Sequence, residues 1–186
     1  MSKRDDLAEQ ATDHALEHGL IGLSLRPLAA ALGTSDRMLL YHFGTKDDLV
    51  ATLLRVSNDR SVAAVRALTP ARDVRRAVRD LWRAMNTESL QRCQRMYVEA
   101  AALGLFGREP YATVVREANE VWIGAVADHL VASGVRRSRA VRATALLDAA
   151  YTGLMLDLPL DEGVPQQRQT VRDLVDAVAA VAQGSA

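Results

Sequence analysis

Ser24-Leu25-Arg26-Pro27-Leu28-Ala29-Ala30-Ala31-Leu32-Gly33-Thr34-Ser35-Asp36-Arg37-Met38-Leu39-Leu40-Tyr41-His42-Phe43-Gly44-Thr45-Lys46 is the stretch that decides the fold. Ser24 is placed to cap one short helix and Ser35 a second, with Gly33 between them at a position that needs a left-handed backbone. Two helices that cross closely need a small side chain on the inner face, here Ala29. The second helix must return an apolar anchor to the same core, here Leu39 against Leu28 and Leu32. This spacing predicts a helix-turn-helix. The second helix of such a unit can lie in the major groove with its N-terminal residues toward base edges.

That geometry nominates Thr34, Ser35, Asp36, Arg37 and Met38 as base-facing residues. Arg37 has the fork to reach guanine bidentately, and Asp36 can accept from cytosine or cap its own helix. Tyr41 and His42 stand one turn later, within reach of phosphates. Thr45 caps the next helix, so the N–H groups after it, with Lys46, are suited to a phosphate. Arg26 and the Ser24 hydroxyl are placed to hold the flanking backbone.

Charge offers no general support. The formal net charge of the 186 residues is zero, and residues 1–55 carry six Lys/Arg against eight Asp/Glu. Any DNA affinity must therefore come from a few placed contacts, with a salt slope of roughly −0.9 per phosphate contact.

Outward from this segment, strand signals are nearly absent, and apolar residues recur at three and four. The pattern predicts an all-α chain of about nine helices. The first runs from about Asp5 to His18, with Leu7, Ala8, Ala11 and Ala15 on one stripe and Gly19 after its end. The second runs to Leu32, the third through His42, and a long fourth from about Lys46 to Arg66. Helices at about Ala71–Asn86, Thr87–Leu105, Pro110–Ser133, Ser138–Leu156 and Pro165–Val181 follow, with joints at Gly107, Gly134 and Pro159–Pro165. The eighth is apolar over much of its circumference, so it is expected to be covered on more than one side. The expected division is residues 1–46 as helix-turn-helix domain, 47–67 as connecting helix, and 68–186 as ligand-binding and dimerisation domain.

Residues 7–54 resemble the DNA-binding domain of TetR-family transcriptional regulators. The resemblance rests on Glu17-His18-Gly19, Ser24-Leu25-Arg26, Leu28-Ala29, Leu32-Gly33, Ser35 and, most specifically, Tyr41-His42-Phe43-Gly44-Thr45-Lys46 with Leu49. It covers about a quarter of the chain. It implies a homodimer on double-stranded operator DNA, paired through the last two long helices. On this chain that points to Leu146, Ala150, Leu154, Leu174 and Val178. It further implies a small-molecule effector whose binding moves the fourth helix and releases a repressor from its operator. Asp36 departs from the family, which often places Lys there.

Aromatic and thioether side chains at helical spacing, as interior or as pocket lining, single out Trp82, Met85, Met96 and Tyr97. Phe106, Tyr111, Trp122, Tyr151 and Met155 belong to the same set. Among polar residues, Asn86, Asn119 and His129 are candidates. His14-Ala15-Leu16-Glu17-His18 matches a zinc-peptidase spacing, but no third ligand accompanies it, so no metal is expected. Arg136-Arg137-Ser138-Arg139 reads as a solvated helix entry, and Cys93 as a packing residue. No nucleophile–base pair or phosphate-cradling glycine loop is present, so neither catalysis nor a cofactor is expected. A single cysteine, no signal-peptide core and no long apolar run point to a cytoplasmic protein without a membrane span. The competing reading is a helical small-molecule-binding protein that has lost specific DNA binding.

Overall fold

The computed structural model describes residues 2–157 and 165–184. These residues form helices α1 (Lys3–His18), α2 (Leu25–Ala31), α3 (Asp36–Phe43), α4 (Lys46–Arg66), α5 (Val74–Met85), α6 (Glu88–Leu105), α7 (Tyr111–Ala132), α8 (Arg137–Asp157) and α9 (Pro165–Gln183). Most boundaries fall where caps and glycines place them. Two differ for local reasons. The first helix starts at Lys3, because Ser2 and Asp5 form a reciprocal capping box. The fifth starts at Val74, because the Asp73 carboxylate accepts from the N–H groups of Arg75 and Arg76. The predicted Pro159–Pro165 joint falls on residues 158–164, outside the described residues.

Two compact units result: residues 1–62 with 87–120, and residues 63–86 with 121–186. The residues of α4 and α7 are divided between them. In the first unit, Leu7, Ala8, Ala11 and Ala15 of α1 are buried with Leu28, Ala29, Leu39 and Phe43. Leu49, Val50, Leu53 and Leu54 of α4 join the same core, and so do Met96 and Ala100 of α6. The three-and-four spacing thus puts one stripe of each helix into a common interior.

In the second unit, α9 packs on α5 and α8, burying Val175, Val178, Ala179 and Ala182. Helix α8 buries Ala140, Ala143, Thr144, Leu147 and Tyr151. Its opposite face stays exposed at Val141, Ala145, Leu146, Ala149, Gly153 and Leu156. The apolar circumference of α8 predicts cover on more than one side; within this chain a single face is covered.

Candidate DNA-reading surface

The α2–α3 unit is built on side chains that leave water completely: Leu28 and Leu39 are 0% exposed. Gly33 takes φ 62, and no atom lies within 4 Å of where a Cβ would stand. Its requirement is the left-handed turn itself rather than a close contact. The turn closes through Thr34 N–H to the Ala29 carbonyl at 2.9 Å. Ser35 Oγ accepts from Met38 N at 3.2 Å, starting α3 as expected. Ser24 holds the N-cap position of α2, but its side chain makes no cap bond.

With Leu39 and Phe43 turned inward, the outer face of α3 consists of Asp36, Arg37, Met38, Leu40 and Tyr41. Tyr41 is 78% exposed. Asp36 Oδ1 accepts from the Arg37 backbone N–H at 2.9 Å, so its carboxylate serves the start of its own helix. Ser24, Arg26, Ser35, Thr45 and Lys46 are also exposed, while Thr34 and His42 are half-buried.

At the start of α4, Thr45 and Asp48 form a reciprocal pair. Asp48 N–H donates to Thr45 Oγ1 at 3.1 Å, and Thr45 N–H donates to Asp48 Oδ2 at 3.0 Å. The bonds from Thr45 hold the Asp48 carboxyl below its ordinary value. Asp48 thus occupies the N–H of Thr45 itself rather than those of Lys46 and Asp47.

Leu40 and three supports of this surface were not read from the sequence. Leu40 is 40% exposed on the outer face, and the Leu39–Leu40 doublet was its signal, because successive residues on a helix point about 100° apart. Arg4 Nε donates to the His42 carbonyl at 3.1 Å, with its guanidinium 5.3 Å from the Phe43 ring centroid. Glu99 Oε2 on α6 accepts from Leu20 N–H at 2.7 Å and Ile21 N–H at 2.8 Å, tying down the α1–α2 loop. Arg60 of α4 further holds α1 through Glu9 and Asp13.

Residues 7–53 match the family model for bacterial regulatory proteins of the tetR family. The match covers about a quarter of the chain, at its N-terminal end. A structure of a transcriptional regulator from Rhodococcus sp. Rha1 is similar over 98% of this chain and 97% of its own, at 25% identity and a TM-score of 0.75. A putative TetR-family regulator from Rhodococcus sp. is similar over 96% and 97%, at 21% identity and 0.72. The multidrug binding protein EbrR, complexed with ethidium, is similar over 97% and 99%, at 22% identity and 0.68. Among curated proteins none matches.

Outside residues 7–53, the residues nominated as pocket or interior are divided. Met96, Tyr97, Phe106 and Tyr111 belong to the first unit. There Met96 is buried in the core shared with α1–α4. Phe106 follows the last residue of α6 and is 84% exposed. Trp82, Met85, Trp122, Tyr151 and Met155 belong to the second unit. The Trp82 and Tyr151 rings meet edge-on at 5.6 Å, and the Tyr151 hydroxyl donates to the Met85 carbonyl. Trp122 Nε1 donates to Asp148 Oδ1 at 2.9 Å. His129 is buried, which holds its imidazole below the ordinary value. His129 Nε2 and Thr144 Oγ1 have no partner among the described residues.

Of the residues nominated for pairing, Leu146 is exposed, Ala150, Leu154 and Leu174 are half-buried, and Val178 is fully buried within this chain. Arg137 pairs with Asp128, and Arg139 donates to the Gln183 carbonyl. Cys93 is buried. The His14 and His18 rings stack at 4.1 Å. Among the described residues no group of three or more metal-ligating side chains occurs, and no helix is long and apolar enough to cross a membrane.

Proposed function

We propose that this chain is a ligand-responsive transcriptional regulator that binds double-stranded operator DNA as a homodimer and acts as a repressor. The observation that carries the reading is the outer face of α3. Arg37 and Tyr41 project from a helix anchored by Leu39 and Phe43, inside the segment that matches the tetR family. Arg37 reads guanine. Met38 and Leu40 offer apolar contact to thymine methyls. Ser24, Arg26, Tyr41, His42, Thr45 and Lys46 position the helix on phosphates.

The exposed apolar face of α8, centred on Leu146 and Gly153, is the proposed pairing surface, with Ala150, Leu154 and Leu174 at its margin. Two paired reading helices then meet half-sites about 34–36 Å apart. The second unit is proposed to hold a small organic effector, in keeping with the multidrug-binding relative solved with ethidium. An effector favouring a different separation weakens DNA binding by its differential affinity for the two arrangements. Helix α4, with residues in both units, is the proposed carrier. The role needs no catalysis and suits the cytoplasm.

An acidic N-terminal segment and Asp36 on the outer face of α3 favour the competing reading, a ligand-binding protein no longer able to read DNA. That carboxylate is engaged at its own helix start, which weakens the case. The deciding experiment is selection of genomic fragments by the purified protein. Enrichment of one two-fold-related sequence is expected. Failure to enrich any sequence would overturn the reading.

A further inference from the structure

Asp148 is a half-buried carboxylate on α8 that accepts a hydrogen bond from the neutral indole N–H of Trp122. Among the described residues it takes part in no ion pair. Carboxylates removed from water are ordinarily matched by a cation or by several donors. Asp148 has one neutral donor. Burial correspondingly pushes its carboxyl up from the ordinary value, against the lowering effect of the Trp122 bond. Three residues along the same helix stands Tyr151, one turn away and on the same side, and its ring meets Trp82 of α5. One turn the other way stands Thr144, fully buried with its hydroxyl unpartnered. One stretch of α8 therefore gathers a carboxyl group with no ion pair among the described residues, a buried hydroxyl without a partner and aromatic rings.

We propose that Asp148 is the counter-ion for a small organic cation, an ammonium group carried on an apolar body, and that Trp122, Trp82 and Tyr151 form its aromatic surround. A fixed positive charge supplies what Asp148 lacks, and aromatic faces attract cations through their quadrupoles. An anionic ligand is repelled by the same carboxylate, and a neutral one leaves it uncompensated. This inference rests on reading the second unit as the effector-binding part.

Trp82 and Trp122 are the chain's two tryptophans, so intrinsic emission reports on this region. The full-length protein is titrated with benzyltrimethylammonium and with neopentylbenzene, its uncharged analogue with carbon in place of nitrogen. The cation is expected to change the emission at a concentration at least about tenfold lower than the neutral analogue. Asp148→Asn, which keeps an acceptor for Trp122, is expected to abolish that preference while melting no lower than the parent. Asp148→Glu retains the preference. Equal binding of both probes, an unchanged preference in Asp148→Asn, or a cation dissociation constant weaker than about 1 mM overturns the proposal. Binding that depends on Asp148 but leaves operator affinity unchanged supports the cation site and refutes the effector reading instead.

Discussion

Replacing Glu99 by Ala removes a support that lies 78 residues in sequence from the loop it holds. Its Oε2 accepts two backbone N–H groups, Leu20 at 2.7 Å and Ile21 at 2.8 Å. Hydrogen bonds to a charged acceptor are worth about 1.5–3 kcal/mol each where water is excluded. Ile21 is exposed, so its amide recovers water on mutation, whereas Leu20 is buried and its amide recovers less; the expected loss for the pair, carried mostly by Leu20, is about 1–2 kcal/mol. For a chain of this length that lowers the melting temperature by about 2–8 °C. Glu99→Gln keeps an oxygen acceptor without the charge and should lose about half as much. Gly19→Ala attacks the same junction from the other side. Its φ of 85 is strained for a side chain, and the added Cβ would lie 2.8 Å from Glu99 Oε1. Because the loop leads directly into α2, operator affinity should fall with stability in all three variants. Differential scanning fluorimetry, fluorescence anisotropy on operator DNA and amide exchange at Leu20 and Ile21 provide the readouts. A Glu99→Ala protein with parental melting temperature and parental exchange at both amides would refute the reasoning.

Leu39 is 0% exposed, so Leu39→Ala should cost about 2–5 kcal/mol and abolish operator binding, as followed by urea denaturation and anisotropy. Arg37→Ala should lose about 1–3 kcal/mol of discrimination between operator and random DNA, whereas Lys46→Ala should weaken both alike; normal operator binding by Arg37→Ala would mean that α3 meets DNA by another face. The Asp148 carboxyl is raised from its ordinary value of 3.8 by burial. Its charged form is therefore disfavoured in the folded state, and the cost appears as pH rises through the folded value. Asp148→Asn should accordingly melt higher than the parent at pH 7, with the advantage shrinking as pH falls toward 3.8; an advantage that grows on acidification would refute this.

The sequence carried the reading surface because its information is local. Gly33, Ser35 and the Thr45–Asp48 cap act within four residues of themselves, and Leu39 and Phe43 follow from helical periodicity. Glu99, Arg4 and Arg60 were invisible for the opposite reason. Each acts on a segment 38 to 79 residues away, and a lone acidic or basic residue on a helix surface has no pattern to mark it. Composition misled at Phe106, where an aromatic just past a helix end lies in solvent. It misled also at Val178, whose place in the α9 stripe marked burial but not against what. Asp148 carried no signal at all: its meaning depends on the missing ion pair, which only the packing of α7 and α8 defines.

Salt dependence follows from the same ion pairing. Residues 2–62 contain seven Lys and Arg side chains. Arg4 is engaged at the end of α3, Arg55 pairs with Glu117, and Arg60 is shared by Glu9 and Asp13. Among the described residues this leaves Lys3, Arg26, Arg37 and Lys46 without a side-chain partner. If all four met phosphate in each half of a dimer, the slope of log K against log salt would be about −7. With Arg37 on a base edge, three per half remain, and the slope is about −5. Lys46→Ala in both halves should make it shallower by about 2. Each of the three engaged arginines would have to leave its partner before adding to the slope. A measured slope steeper than about −8 would thus mean that these ion pairs open on DNA, and the supports described for α1 and α3 would then belong to the unbound protein alone.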